Sequence, residues 1–393
     1  MYILKNHIRT LDKVFMLSCN FNKTYSDYYR YFSNEGYLIF LSLILIVVTP
    51  LDYILYIRWL DGMINYKWFA SSFIFPLFGI VFFYAGVLCK NLLSKPVVKC
   101  SQKPLVVMGV MDGIRSLLQS FSAPYLSIIV MTILDKLSLP ILMAFSYCML
   151  NRRYYKSHYL GVFLTVYAVM VSYIPSFSDG KFNEGWATTI FVISILPGVL
   201  SFVFKEKMLD DQEVDIWWMN LWISVWQFIF GIFMFPIMLL PLSGSDLTIK
   251  VSDVGSYFRD AFKCQFAGIN SRPGDHCESN LFYLIIYNVI STFINVLMFM
   301  MIKEGSATYY MIINTVKLPI QAWLGSFKSI AGSNYSPINI NNLFSFVLLA
   351  VSTMVYNNKK EISYKRISST DSEVELRTSD YKDESDVDYR GLN

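Results

Sequence analysis

Two stretches of the chain share an ending: ILDKLSLPI at residues 133–141 and IINTVKLPI at residues 312–320. Both lie inside long apolar runs, and both place Leu-Pro-Ile after a lysine. A proline removes one backbone hydrogen-bond donor and opens its helix. Inside a bilayer, the freed carbonyl is tolerated only where it meets protein or a water-filled cavity. The two stretches therefore predict two interrupted membrane helices beside an internal site.

The composition places the chain in a membrane. Hydrophobic residues make up 54% of the 393 residues and charged residues only 16%, whereas soluble domains carry about 25% charged residues. The fold class predicted is an all-α polytopic membrane protein. The net charge of +4 is small and no basic nucleic-acid-binding module is visible, so the lipid bilayer, and not nucleic acid, is the expected partner.

Ten apolar runs are long enough to cross about 30 Å of hydrocarbon. They are predicted at residues 36–59, 67–89, 104–123, 126–149, 158–176, 186–206, 215–240, 281–302, 306–325 and 339–357. Ten crossings put both termini on one side of the membrane. Lysine and arginine are concentrated between spans two and three, between four and five and after span ten, so the positive-inside rule predicts cytosolic termini.

The predicted spans divide the chain into six regions. They are a cytosolic N-terminal segment at 1–35, a first five-helix half at 36–176, a linker with spans six and seven at 177–241, a lumenal loop at 242–280, spans eight to ten at 281–357, and a disordered cytosolic tail at 358–393. For the first segment, an interfacial helix and a loose tail are both open interpretations.

The prolines predict an internal repeat. Pro50 and Pro140, in spans one and four, are 90 residues apart, and Pro197 and Pro319, in spans six and nine, are 122 apart. The second separation is longer than the first by about as much as the lumenal loop is longer than a short loop. Two halves of five spans insert with opposite orientation, which predicts two inverted five-helix repeats around a central cavity, with a helix kink at each proline; this is the usual frame of a secondary transporter. The alternative is that prolines are merely frequent in membrane helices.

Several charges fall inside the predicted spans, where each costs at least about 2.5–3.5 kcal/mol on insertion scales. Asp112 and Arg115 lie three residues apart on one helix face, so a structural pair between them is as good an interpretation as a binding role. Asp135 and Lys136 are adjacent, and their side chains therefore point about 100° apart. At least one of these two is expected to face a cavity or another helix.

Lys136 and Lys317 each precede a proline in spans that the repeat makes equivalent. They are expected to converge near the midplane and to line the cavity; snorkelling or a buried ion pair is the alternative. The residues predicted to line the cavity are Asp112, Arg115, Lys136, Asn295, Lys317 and Gln321. Asp112 or Asp135 is predicted to carry a coupling proton.

Cys264 and Cys277 share the lumenal loop. A disulfide there would add about 3 kcal/mol in the chain-entropy model, and two free thiols are the alternative. A short surface helix is expected near 246–262. The three histidines form no metal-spaced cluster and no glycine-rich phosphate loop precedes a helix, so neither a metal, a cofactor nor an enzyme activity is predicted.

Six stretches together resemble the chloroquine-resistance-transporter family of the drug/metabolite transporter superfamily. They are VMDGIRS (110–116), KLSLPILMAF (136–145), HYLGV (158–162), ILPGVLSFVFKEKMLDDQEVDIWWMN (195–220), CQFAGIN (264–270) and KEGSATYYMIINTVKLP (303–319). The resemblance implies ten spans in two inverted halves and a vacuolar or lysosome-like membrane. It also implies proton-coupled export to the cytosol of amphipathic cationic drugs, peptides, amino acids or glutathione-like thiols.

Two positions depart from the family pattern. The family's loop before span eight commonly has four cysteines, and here only Cys264 and Cys277 are present. The parasite members have a neutral polar residue before the glycine-proline of span nine, where this chain has Lys317 and Leu318. An added positive charge at that place disfavours cationic drugs and favours anionic or zwitterionic solutes.

The sequence therefore predicts a monomeric secondary transporter that exports small organic solutes from an acidic organelle. Two alternatives stay open: an exchanger of sugar phosphates or nucleotide sugars from the same superfamily, and a membrane scaffold without transport activity.

Overall fold

A computed structural model describes residues 34–93, 97–126, 128–178, 185–211, 214–239, 249–304, 307–332, 335 and 338–356. The predictions for the N-terminal segment, apart from its last residues, and for the C-terminal tail lie outside these residues.

The described chain is almost entirely helical. Its helices are α1 (Asn34–Gly62), α2 (Phe75–Leu92), α3 (Gln102–Ser122), α4 (Ile128–Leu134), α5 (Ser138–Leu150), α6 (Lys156–Ser178), α7 (Gly185–Asp211), α8 (Ile216–Met234), α9 (Val254–Phe262), α10 (Asn280–Glu304), α11 (Ala307–Val316), α12 (Leu318–Gly325), α13 (Lys328–Ala331) and α14 (Ile340–Tyr356).

Six helical segments of the described chain are long and apolar enough to cross a membrane. They are Gly36–Gly62, Phe69–Leu92, Val130–Leu150, Gly185–Leu209, Ile216–Leu239 and Cys277–Lys303. A polytopic helical membrane protein is thereby confirmed.

The count of ten crossings stays a prediction. Lys156–Val171 and Ile340–Tyr356 are apolar but shorter. The predicted span at 104–123 corresponds to α3, which carries charged side chains in its middle, and the span at 306–325 is divided into α11 and α12.

The two stretches that end in Leu-Pro-Ile are interrupted helices. A 3₁₀ turn, Asp135–Leu137, joins α4 to α5, and Pro140 is the third residue of α5. Lys317 separates α11 from α12, and Pro319 is the second residue of α12. A proline is tolerated in a first helical turn because that turn's backbone N–H groups have no partner within the helix.

The other two prolines behave differently. Pro50 and Pro197 lie inside α1 and α7, and both helices continue past them. A kink at these two positions stays a prediction, whereas at Pro140 and Pro319 the helix is interrupted.

Five helix pairs make the most extensive contacts in the bundle. α1 packs along α10, α3 along α7, α3 along α8, α2 along α8, and α6 along α14. The first four pairs enclose a central space, and the fifth lies to one side of it, where Ser352 of α14 donates a hydrogen bond to the carbonyl of Gly161 in α6 at 2.6 Å.

The loop that precedes α10 is folded onto the end of the bundle. Its helix α9 confirms the surface helix expected near 246–262. The Phe258 ring lies 5.9 Å from the Trp68 ring and 5.4 Å from the Phe235 ring, measured between ring centroids. Asp275 accepts hydrogen bonds from the side-chain amide of Asn65 at 2.8 Å and from the backbone N–H of Arg272 at 2.7 Å. These contacts fix the loop to the chain that joins α1 to α2.

Cys264 and Cys277 are both buried in this loop and lie at bonding distance, with Cα atoms 4.9 Å apart. The arrangement agrees with the pairing proposed from the sequence. The disulfide stays a prediction, which thiol titration or non-reducing mass spectrometry of the protein would test.

Burial raises the pKa of Tyr257, which packs nearby against Tyr66 with ring centroids 5.6 Å apart, so this phenol remains protonated.

Candidate functional site

A cavity of about 320 Å³ lies in the middle of the bundle. Side chains from α1, α2, α3, α7, α8, α10 and α11 line it, together with Met131 of α4, Asp135 and Lys317. Pockets for small molecules usually measure about 300–1,000 Å³. The cavity is therefore at the small end of that range.

Four of the six residues predicted to line the cavity do so: Asp112, Arg115, Asn295 and Lys317. Asp135, which was predicted as a proton carrier, lines it as well. Lys136 and Gln321 are not among the residues that line this cavity, and a role in solute binding stays a prediction for all six.

Lys136 and Gln321 are buried between the interrupted helices. The Lys136 ammonium donates to the carbonyl oxygen of Asn314 at 2.8 Å and lies 3.9 Å from Asp135 Oδ2. The Gln321 amide nitrogen donates to Thr132 Oγ1 at 2.6 Å. Both side chains thus join one interrupted helix to the other. Sequence spacing shows that such a polar group needs a partner, but not whether that partner is a solute or a neighbouring helix.

The ion pairs of the cavity connect different helices. The Lys205 ammonium of α7 lies 2.8 Å from Asp112 Oδ2 of α3. Arg115 Nη2 lies 3.2 Å from Asp135 Oδ1 in the 3₁₀ turn. The structural pair considered between Asp112 and Arg115 is therefore replaced by two pairs with other helices.

Gly198 makes room for Arg115. A Cβ atom added at Gly198 would lie 2.3 Å from Arg115 Cδ and 2.8 Å from its Nη1. Gly198 directly follows Pro197 in α7. The absence of a side chain at Gly198 of α7 thus sets where the Arg115 side chain lies in the cavity.

Two functional candidates were not assigned from the sequence. Lys205 is the penultimate residue of the predicted span 186–206 and was given no role, yet it faces the cavity. Asp52 lies inside the predicted span 36–59 and was given no role. It lines the cavity within hydrogen-bonding reach of Ser291 on α10, and its Oδ1 atom has no hydrogen-bond partner. The signal for Asp52 was its place two residues after Pro50.

Tyrosines form one wall of the cavity. Tyr53 and Tyr56 come from α1, Tyr287 from α10 and Tyr310 from α11. The rings of Tyr56 and Tyr287 lie 5.5 Å apart between centroids. Aromatic faces attract cations, so this wall suits a positively charged group of a solute.

The charges of the cavity balance. Its acidic side chains are Asp52, Asp112 and Asp135, and its basic ones are Arg115, Lys205 and Lys317. Two ion pairs account for four of the six. Within the described ranges, no group of three His, Cys, Asp or Glu is arranged to hold a metal ion.

A buried cluster lies beside the cavity, next to the start of α11. Arg152, in the connection between α5 and α6, donates to Glu206 Oε1 of α7. The same oxygen accepts from the backbone N–H of Ala307 at 3.2 Å. Glu206 is only 1% exposed, so this carboxylate joins three separate parts of the chain.

A polytopic helical bundle with a small, ion-paired cavity at its centre has the architecture of a membrane transporter. The chain matches the family described as CRT-like, chloroquine-resistance transporter-like, over residues 38–356. The protein therefore belongs to this family, which confirms the resemblance read from the sequence.

Three relatives illustrate this membership. Crt homolog 1 of Dictyostelium discoideum is 25% identical over 367 residues, covering 85% of this chain and 76% of that protein. Crt homolog 3 of the same organism is 24% identical, covering 78% of this chain and 69% of that protein. The chloroquine resistance transporter of Toxoplasma gondii is 22% identical, covering 80% of this chain but 37% of that longer protein.

Proposed function

We propose that this protein is a secondary transporter that moves small organic solutes from an acidic vacuole or lysosome-like organelle to the cytosol with protons. The solute classes considered are amino acids, peptides, amphipathic cationic drugs and glutathione-like thiols. The observation that carries the proposal is the central cavity, where three acidic and three basic side chains face one space of about 320 Å³. Charges inside a membrane protein are costly and mark solute pathways.

The proposed architecture is two inverted halves of five spans, with both termini in the cytosol. One pair of helix contacts supports it. If α1 corresponds to α7 and α3 corresponds to α10, the contact of α1 with α10 is the counterpart of the contact of α7 with α3. The breaks before α5 and before α12 fall in matching spans. Such halves can rock against each other about a midplane site.

The proposed coupling groups are Asp112 and Asp135. Each forms an ion pair with a cation, Lys205 in the first case and Arg115 in the second. Protonation of either carboxylate removes its attraction for that cation. The bound helices are then free to separate, which links a proton to the rocking motion.

An exchanger of sugar phosphates is the second candidate from the same superfamily. A phosphate group carries about two negative charges at neutral pH and is bound by an excess of Arg and Lys. The equal numbers of acidic and basic groups in the cavity do not provide that excess, so the proton-coupled carrier of small organic solutes is favoured.

The test is uptake by purified protein in liposomes. A proton gradient and a membrane potential are imposed separately, with a cationic drug, a dibasic peptide and glutathione as competing solutes. Uptake that follows the proton gradient is expected for at least one of them. Uptake that needs a counter-solute and ignores the proton gradient would establish the exchanger, and the absence of flux for every solute would favour the scaffold.

A further inference from the structure

Two opposite charges remain in the cavity after the ion pairs are assigned. Asp52 belongs to α1, and Lys317 lies between α11 and α12. Among the described residues, neither forms an ion pair within 4.0 Å. Lys317 is only 9% exposed, and Asp52 Oδ1 is buried without a hydrogen-bond partner.

Such an arrangement is costly for the empty protein. A buried charge that lacks an ion-pair contact loses its hydration, and attraction to a more distant opposite charge offsets only part of that loss. A ligand that brings a positive group to Asp52 and a negative group to Lys317 restores both interactions at once. A ligand with only a positive group would pair with Asp52 but would leave Lys317 unpaired and close to a like charge.

The groups around Asp52 suit a positively charged partner, and the groups around Lys317 suit a negatively charged one. Near Asp52 are the hydroxyl of Ser291 and the rings of Tyr56 and Tyr287, which suit an ammonium group. Asn314, three residues before Lys317, lines the cavity as well, and an amide N–H₂ together with an ammonium suits a carboxylate.

We infer that Asp52 and Lys317 form the two poles of a site for a zwitterion, a solute of amino-acid or short-peptide size with a free ammonium and a free carboxylate. The inference rests on the proposed transport function and narrows its solute class. Asp52 binds the ammonium and Lys317 the carboxylate. Lys205, Arg115, Asp112 and Asp135 stay in their own pairs and hold the walls of the cavity.

The experiment measures ligand-induced thermal stabilisation of the full-length protein in detergent, since a ligand that binds the folded state raises its unfolding temperature. Three probes are compared: a mixture of the common amino acids, the matching mixture of their methyl esters and the matching mixture of their N-acetyl derivatives. The esters lack the carboxylate and the N-acetyl compounds lack the ammonium. The amino acids are expected to bind the wild-type protein at least about tenfold more tightly than either derivative.

Two variants then assign the poles. Asp52→Asn should reduce amino-acid binding by about tenfold or more and remove the preference over the N-acetyl compounds. Lys317→Gln should reduce it similarly and remove the preference over the esters. Lys303→Gln, at an exposed lysine of α10, is the matched control and should bind as the wild type does.

Equal binding of the three mixtures by the wild-type protein, or no binding of the amino acids, would overturn the inference even if both variants failed to fold. So would amino-acid binding that neither variant changes. Liposome uptake separates this inference from the transport proposal. Gradient-driven flux of a drug or thiol without amino-acid binding rejects the zwitterion site alone. Charge-selective amino-acid binding without flux of any solute rejects transport alone.

Discussion

The two interrupted helices have the same sequence ending but use their lysines in opposite ways. In the first, the break at Asp135–Leu137 turns Lys136 away from the cavity, and its ammonium binds the Asn314 carbonyl. In the second, the break leaves Lys317 on the cavity wall, with no acidic group within 4.0 Å among the described residues. One lysine therefore joins two helices, and the other is available to a solute.

The difference follows from what lies next to each lysine. Asp135 precedes Lys136 and occupies the cavity position, where it binds Arg115, so the lysine that follows it points elsewhere. Lys317 follows Val316, and no acidic neighbour in sequence takes its place. A charged residue next to a proline break is thus not by itself a sign of solute binding.

A substitution at Glu206, which binds the start of the second interrupted helix, should give the largest loss of stability. Glu206→Gln removes the negative charge that binds Arg152 and the N–H of Ala307 at the start of α11. Loss of one partner of a buried ion pair costs about 3 kcal/mol or more. Equilibrium unfolding in detergent measures this change, with the exposed Glu278→Gln as control. If Glu206→Gln lowers the free energy of unfolding by less than about 0.5 kcal/mol, as a surface substitution would, this prediction is contradicted.

Lys136→Met should destabilise the protein by about 2 kcal/mol, because it removes a buried charged donor from the Asn314 carbonyl. Solute selectivity should not change, since the side chain lies outside the cavity lining. Unfolding and liposome uptake are measured on the same preparation, beside the exposed Lys303→Met. A variant of normal stability with altered selectivity would reverse the roles given to the two lysines.

Gly198→Ala should move Arg115 away from Asp135 and cost about 1 kcal/mol by overpacking. Uptake should fall as well, because a charge of the cavity is displaced. The control is Gly255→Ala in α9, where an added Cβ meets nothing within 4 Å. If both alanine variants unfold and transport alike, the glycine does not position Arg115.

Lys317→Met should have the smallest effect on stability. The free energy of unfolding should stay within about 0.5 kcal/mol of the wild type or rise slightly, because a buried charge without an ion-pair partner is removed. Selectivity should move from zwitterions towards cations in the uptake assay. A loss of stability as large as that expected for Lys136→Met would show that Lys317 also has a structural partner.

The interrupted helices and much of the cavity lining were predictable from local sequence. Proline and lysine positions locate the breaks because the loss of a backbone donor acts on the residue's own helix. Asp112, Arg115, Asn295 and Lys317 were found because a polar residue in an apolar run is costly wherever the run packs. The count of crossings was not settled, since α3 carries charges and the segment 306–325 is divided in two.

The sequence by itself determined that this chain is a helical membrane protein of the CRT-like family with two proline-marked breaks, since apolar length, charge and backbone chemistry are properties of each segment. Only the tertiary structure decided which charges meet. Lys205 came to Asp112 from 93 residues away, Arg115 found Asp135 instead of its neighbour on the helix, and Asp52 and Lys317 were left facing the same space. Partner choice depends on how helices pack, and one-dimensional spacing does not contain that distance information.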